Sequence, residues 1–133
     1  MATSLMEMIQ EARRSVREVT AEAAAETLQR GDSAFLIDVR EPAEFTRGHI
    51  PGAVNIPRGM LELKADPVSP AADPDLVGSR EAEILVYCLR APSARSILAV
   101  ETLMKMGYAN VAAIQGGLLS WRDQALPVES DTE

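Results

Sequence analysis

The sequence predicts an α/β domain on a largely parallel sheet. Three observations carry that prediction. Short apolar runs bounded by turn residues alternate with helical patterns along the chain. Residues 34–39 and 84–87 are apolar almost throughout, as strands covered on both faces are. Apolar residues make up 47% of the 133 positions, which suits one globular domain with its own core.

Each element has its own signal. Leu5, Met8, Ile9, Ala12 and Val16 share one helical face, so an amphipathic helix leads the chain across residues 1–15. Its stripe is expected to pack on its own domain. Pairing with a second copy is the alternative, so a monomer or a weak homodimer both remain open. Nothing in residues 1–14 is expected to reach the chemistry discussed below. Residues 16–19 read as a short strand. Thr20 reads as the N-cap of a helix over 21–30, with Gly31 as its stop. Residues 34–39 form the next strand. Glu41 then opens a short helix with Pro42 in its first turn. Residues 53–56 read as a third strand. Pro67, Pro70 and Pro74 with Asp66, Asp73 and Asp75 predict a long surface loop over 64–78. Strand 84–87, helix 97–106 and strand 111–114 follow. Gly116 and Gly117 make a tight turn into helix 118–124. Residues 128–133 form an acidic tail expected to fray. There is no internal repeat.

Composition excludes several function classes. Thirteen Lys and Arg against twenty Asp and Glu give a net charge of −7. That disfavours nucleic acid and anionic membranes as partners. No apolar run approaches the ~20 residues of a membrane span. Glu7, Glu11, Arg13 and Arg14 interrupt the start, unlike a secretory signal. A single cysteine forms no internal disulfide and fits a reducing, cytoplasmic setting. One cysteine and one histidine make no zinc site of the usual kind.

That cysteine, Cys88, is the most informative residue. It ends a strand and faces the start of a helix across Leu89-Arg90-Ala91-Pro92-Ser93-Ala94-Arg95-Ser96. Unpaired N–H groups at such a place favour a thiolate and an anionic ligand. Position alone fits a small buried core residue equally well. In α/β sheets, ligands bind at the carboxyl ends of strands. Asp38, Val39 and Arg40 end another strand and point the argument to the same edge.

The segment DVREPAEFTRGHIPGAVNIPRG (38–59), with VYCLRAPSARS (86–96) and GGLLSW (116–121), resembles the rhodanese family of sulfurtransferases. The resemblance covers roughly residues 16–127. It implies a central, mostly parallel five-stranded sheet with helices on both faces, with the amphipathic helix as an addition. It also implies that Cys88 carries a persulfide. A donor such as thiosulfate would load the sulfur, and cyanide or another thiol would accept it. No metal or organic cofactor is needed. Leu89, Arg90, Ala91, Ser93, Arg95 and Ser96 would form the substrate loop. Arg90 or Arg95 would grip the donor's oxygens. Asp38, Arg40 and Glu44 would support the loop from below. His49 falls in the family's structural signature and reads as a scaffold residue. Trp121 and Phe45 read as core, and Met104 and Met106 as helix packing.

The loop departs from the family pattern. It lacks glycine and has two extra residues between Cys88 and Arg95. Either the loop is longer, or Ser93 caps the helix and the usual length is kept. A longer loop would suit a phosphatase or arsenate reductase on the same scaffold. A non-catalytic binding module is the third reading, weakened by the presence of Cys88.

Overall fold

The computed structural model describes residues 2–31 and 34–131. Helix α1 (Leu5–Arg13) starts at a capping box. The Ser4 hydroxyl accepts from the Glu7 N–H, and the Glu7 carboxylate accepts from the Ser4 N–H. Strand β1 (Arg17–Val19) leads to Thr20, whose hydroxyl accepts from the Ala23 N–H and starts α2 (Ala21–Gln29). Then come β2 (Phe35–Asp38), α3 (Pro42–Arg47) and β3 (Val54–Asn55). A 3-10 turn at Arg58–Met60 runs into α4 (Leu61–Ala65). The remaining elements are α5 (Pro74–Val77), β4 (Glu83–Tyr87), α6 (Ala94–Lys105), β5 (Asn110–Ile114) and α7 (Gly117–Asp123).

The five strands form one parallel sheet in the order β1-β5-β4-β2-β3. Register pairs Asp38 with Tyr87, so β2 and β4 finish side by side. Successive residues of β4 enter opposite cores. Ile84 and Val86 pack with α1, α4, α5 and α6, while Leu85 and Tyr87 pack with α2 and α7. All four are fully buried, which is why this strand reads as an unbroken apolar run.

The amphipathic helix packs on its own domain, against α6. Ile9, Ala12 and Val16 join the core, whereas Leu5 and Met8 remain exposed. Burying Ile9 and Val16 contributes roughly 3–6 kcal/mol before the entropy of ordering the segment.

Three expectations need correction. Residues 64–78 are not a structureless loop, because α4 ends within them and α5 lies inside them. The Asp73 carboxylate accepts from the N–H groups of Asp75 and Leu76, and Pro74 fits the first helical position. Leu76 then anchors the short helix in the core. The helix expected over 97–106 begins earlier, at Ala94. The acidic tail does not fray from Glu129. Glu129 and His49 exchange backbone hydrogen bonds of 2.8 and 2.9 Å, and the Asp131 N–H donates to the Thr46 carbonyl. Paired backbone groups outweigh the acidic composition there. Thr132 and Glu133 of that tail, and Met1 of the leading helix, lie outside the described residues. No helix among the described residues is long and apolar enough to cross a membrane.

Candidate active site

Cys88 follows β4 directly and is 2% exposed. Its Sγ lies 3.5 Å from the Ser96 hydroxyl, which donates to the Ser93 carbonyl at 3.1 Å. Leu89 to Ser93 form the loop between strand and helix. Ser93 sits at the N-cap position of α6 but does not cap with its side chain. Its φ of 62° is left-handed. The Ser93 N–H donates to the Arg90 carbonyl, and the Ser93 hydroxyl instead accepts from the Gly116 N–H at 3.2 Å.

The consequence is a set of unused donors. Among the described residues, no acceptor takes the backbone N–H groups of Leu89, Arg90, Ala91, Ala94, Arg95 or Ser96. Pro92 has no N–H to offer. A strand end and a helix start thus leave several backbone donors unused along the loop and first helical turn that follow Cys88.

Two ion pairs lie beside the loop. Asp38 and Arg40 form a buried fork, with Nε and Nη2 of Arg40 at 2.7–3.1 Å from the carboxylate. Nη2 also donates to the Gly48 carbonyl. Burial works against the Arg40 charge, but the Asp38 carboxylate outweighs it and raises the arginine's pKa. Burial also pushes the Tyr87 phenol up, so it stays protonated while it accepts from the Ile50 N–H. Glu44 forms the second pair. It accepts from both terminal nitrogens of Arg95, at 2.8 and 3.3 Å. The Arg95 guanidinium holds Glu44 below the usual carboxylate range, and Glu44 holds Arg95 above the ordinary arginine range. Arg95 therefore stands at the first turn of α6 with its fork already engaged. Arg90 is exposed and has no side-chain partner among the described residues.

His49 is buried in a structural setting. Its Nδ1 meets the Phe45 carbonyl at 2.8 Å, its Nε2 meets Glu129 at 3.2 Å, and Phe45 stacks on its ring. Trp121 is in the core and donates from Nε1 to the Pro127 carbonyl. Phe45 is only half-buried, and Met104 is exposed.

Two contacts were not foreseen from the sequence. The first comes from α1. Arg13 Nη2 donates to the Pro92 carbonyl at 2.8 Å, so the leading helix does touch the cysteine loop. A contact across 79 positions leaves no trace in local pattern. The second lies at Gly117. The N–H groups of Leu118 and Leu119 donate to the carbonyls of Cys88 and Leu89, each at 3.0 Å. A Cβ at Gly117 would lie 2.5 Å from the Cys88 oxygen. The glycine pair is thus a turn and also the place where α7 docks onto the strand end. The pair was visible in the sequence, but this reason for it was not.

A parallel sheet with a single cysteine at its carboxyl edge, under a loop of free N–H groups, defines a cysteine-loop α/β protein. The profile of the rhodanese-like domain family matches residues 20–124, and the chain belongs to that family. It is 27% identical to a sulfurtransferase of Allochromatium vinosum over 113 residues, covering 85% of this chain and 94% of the relative. It is 33% identical to thiosulfate sulfurtransferase 18 of Arabidopsis thaliana, covering 82% of this chain and 81% of the relative. A solved structure from Rhodopseudomonas palustris, described as a protein of unknown function and possible tyrosine phosphatase, superposes with a TM-score of 0.87. It is 36% identical and matches over 97% of this chain and 96% of its own. The chain spans 63%, 51% and 49% of the length of three other curated relatives.

Proposed function

We propose that this protein is a sulfurtransferase that moves sulfane sulfur from thiosulfate, or a similar donor, to a thiophilic acceptor. The observation that carries the reading is Cys88 at the end of β4, followed by a loop and helix start with six unused backbone donors. In the first step the Cys88 thiolate attacks the outer sulfur of thiosulfate. The new S–S bond forms as the donor's own S–S bond breaks, and sulfite leaves with the electron pair. Cys88 then holds an anionic persulfide. The loop N–H groups stabilise that charge, as donors aimed at a developing anion do. The Ser96 hydroxyl, within 3.5 Å of the sulfur, can rotate its proton from Ser93 to the same charge. Burial of Cys88 keeps water from the persulfide between steps. In the second step the acceptor takes the outer sulfur and Cys88 leaves as a thiolate.

Arg95 enters as a loop support through Glu44, and Arg90 as the side chain free to meet donor oxygens. Intact-mass measurement after thiosulfate exposure tests the reading. The protein is expected to gain one sulfur atom, and Cys88→Ser to gain none. A wild-type protein that releases no sulfite and gains no mass would refute it.

A phosphatase is the second reading, favoured by the description of the Rhodopseudomonas palustris structure and by the six residues between Cys88 and Arg95. Against it, Pro92 removes a donor from the loop and the Arg95 fork is occupied by Glu44. Hydrolysis of an aryl phosphate, lost in Cys88→Ser, is its test.

A further inference from the structure

The loop after Cys88 contains no glycine, yet Ser93 holds a left-handed φ of 62°. A side chain makes that conformation costly, so it persists only where neighbours fix it. Ser93 is fixed from several directions. Its N–H donates to the Arg90 carbonyl at 2.9 Å, and its hydroxyl accepts from the Gly116 N–H at 3.2 Å. Its carbonyl accepts from the Ile97 N–H at 2.9 Å and from the Ser96 hydroxyl at 3.1 Å. The last hold falls on the peptide just before it. There the Pro92 carbonyl accepts from Arg13 Nη2 at 2.8 Å.

Arg90, Ser96, Ile97 and Gly116 lie within residues 20–124, the family domain, whereas Arg13 comes from the added helix α1. Its guanidinium is itself braced. Nε lies 3.5 Å from the Glu18 carboxylate of β1, and both side chains are partly covered. A guanidinium held at one edge presents its other nitrogens in a fixed direction. The hold also falls on the side of the sheet that the sulfur faces. Cys88 belongs to the same buried cluster as Ile9, Ala12 and Val16 of α1. From Pro92 the contacts continue through the Ser93 carbonyl to the Ser96 hydroxyl, which lies 3.5 Å from the Cys88 sulfur. A contiguous chain of bonds thus links α1 to the sulfur.

We infer that Arg13 is a positioning residue for sulfur transfer, holding Ser93 and, through it, the Ser96 hydroxyl against the Cys88 sulfur. The inference rests on the persulfide reading above. The Arg13 guanidinium is engaged by Glu18 and Pro92, so it acts on the rate of persulfide formation and not on the binding of the donor.

Single-turnover sulfur loading, followed by intact mass over a range of thiosulfate concentrations, tests it. Arg13→Ala is expected to slow loading at saturating thiosulfate roughly fivefold, with the half-saturating concentration unchanged. Arg13→Lys should recover part of the loss, because an ammonium lacks the spread fork that serves Glu18 and Pro92 together. Glu18→Gln should slow loading in the same direction by less. Ser4→Ala is the control. It breaks the capping box and weakens α1, but leaves the Arg13 side chain in place, so it should load at the wild-type rate. Arg13→Ala loading at the wild-type rate would overturn the inference and leave the persulfide reading standing. Equal slowing by Ser4→Ala would also overturn it, since the packing of α1 would then suffice. A change confined to the half-saturating concentration would do the same, by placing Arg13 on the donor. A wild-type protein that loads no sulfur would remove the persulfide reading and the inference together.

Discussion

Gly117 offers the sharpest perturbation. Its φ of 56° is left-handed, and a Cβ there would meet the Cys88 oxygen at 2.5 Å and the carbonyl carbons of Cys88 and Leu89 at 2.8 Å. All three are backbone atoms of the cysteine loop, so no flexible side chain can yield. Gly117→Ala must carry a left-handed alanine at about 1–2 kcal/mol. It must also push α7 back and stretch the Leu118 and Leu119 bonds to the strand end, at about 1 kcal/mol each. The expected loss is about 3 kcal/mol, or roughly 10 °C in Tm for a domain of this size. Gly52→Ala is the control, because Gly52 also has a left-handed φ, 86°, but a Cβ there meets nothing within 4 Å. It should cost only the conformational part, about 1–2 kcal/mol. Urea denaturation of both variants gives the comparison. Sulfur uptake by the folded fraction should also slow in Gly117→Ala alone, since the carbonyl next to the sulfur has moved. The reasoning fails if Gly117→Ala costs no more than Gly52→Ala.

Other expectations follow from the same geometry. Arg13→Ala should remove the bond to the Pro92 carbonyl and raise amide exchange in the loop several-fold, with a stability loss of about 1 kcal/mol or less; unchanged exchange at Ser93 and Ala94 would show that α1 does not order the loop. Asp38→Ala should cost about 3–5 kcal/mol in denaturant, because it leaves Arg40 charged, buried and unpaired; a loss under about 1 kcal/mol would mean that water reaches the guanidinium. The Glu44 pKa is depressed in the folded state, so its pairing with Arg95 adds stability above the unfolded value of 4.5, and that stability is lost as pH falls through the lower folded value. Glu44→Gln should therefore lose stability at pH 7 and flatten the acid limb of the stability curve, and parallel curves for both proteins would contradict this.

Local chemistry made much of the molecule legible. Strand β4 is apolar on consecutive residues because both sheet faces are covered, and that pattern is complete within the strand itself. Thr20 starts α2 through a bond three residues away. Cys88 lies at the sheet edge because the strand ends one residue before it. Where local signals compete, reading by composition failed. Prolines and aspartates over 64–78 looked like loop, yet Asp73 and Pro74 are also a helix start.

The sequence by itself determined the α/β class, the position of the cysteine and the family signature, because each rests on neighbouring residues. Only the tertiary structure decided what surrounds the sulfur. It is register that sets Asp38 beside Tyr87, and packing of α1 on α6 that carries Arg13 to Pro92. Arg95 had a loop position in the sequence, but Glu44, 51 residues away, takes its fork. Such pairings depend on how the chain closes over long sequence distances, and no local preference encodes them.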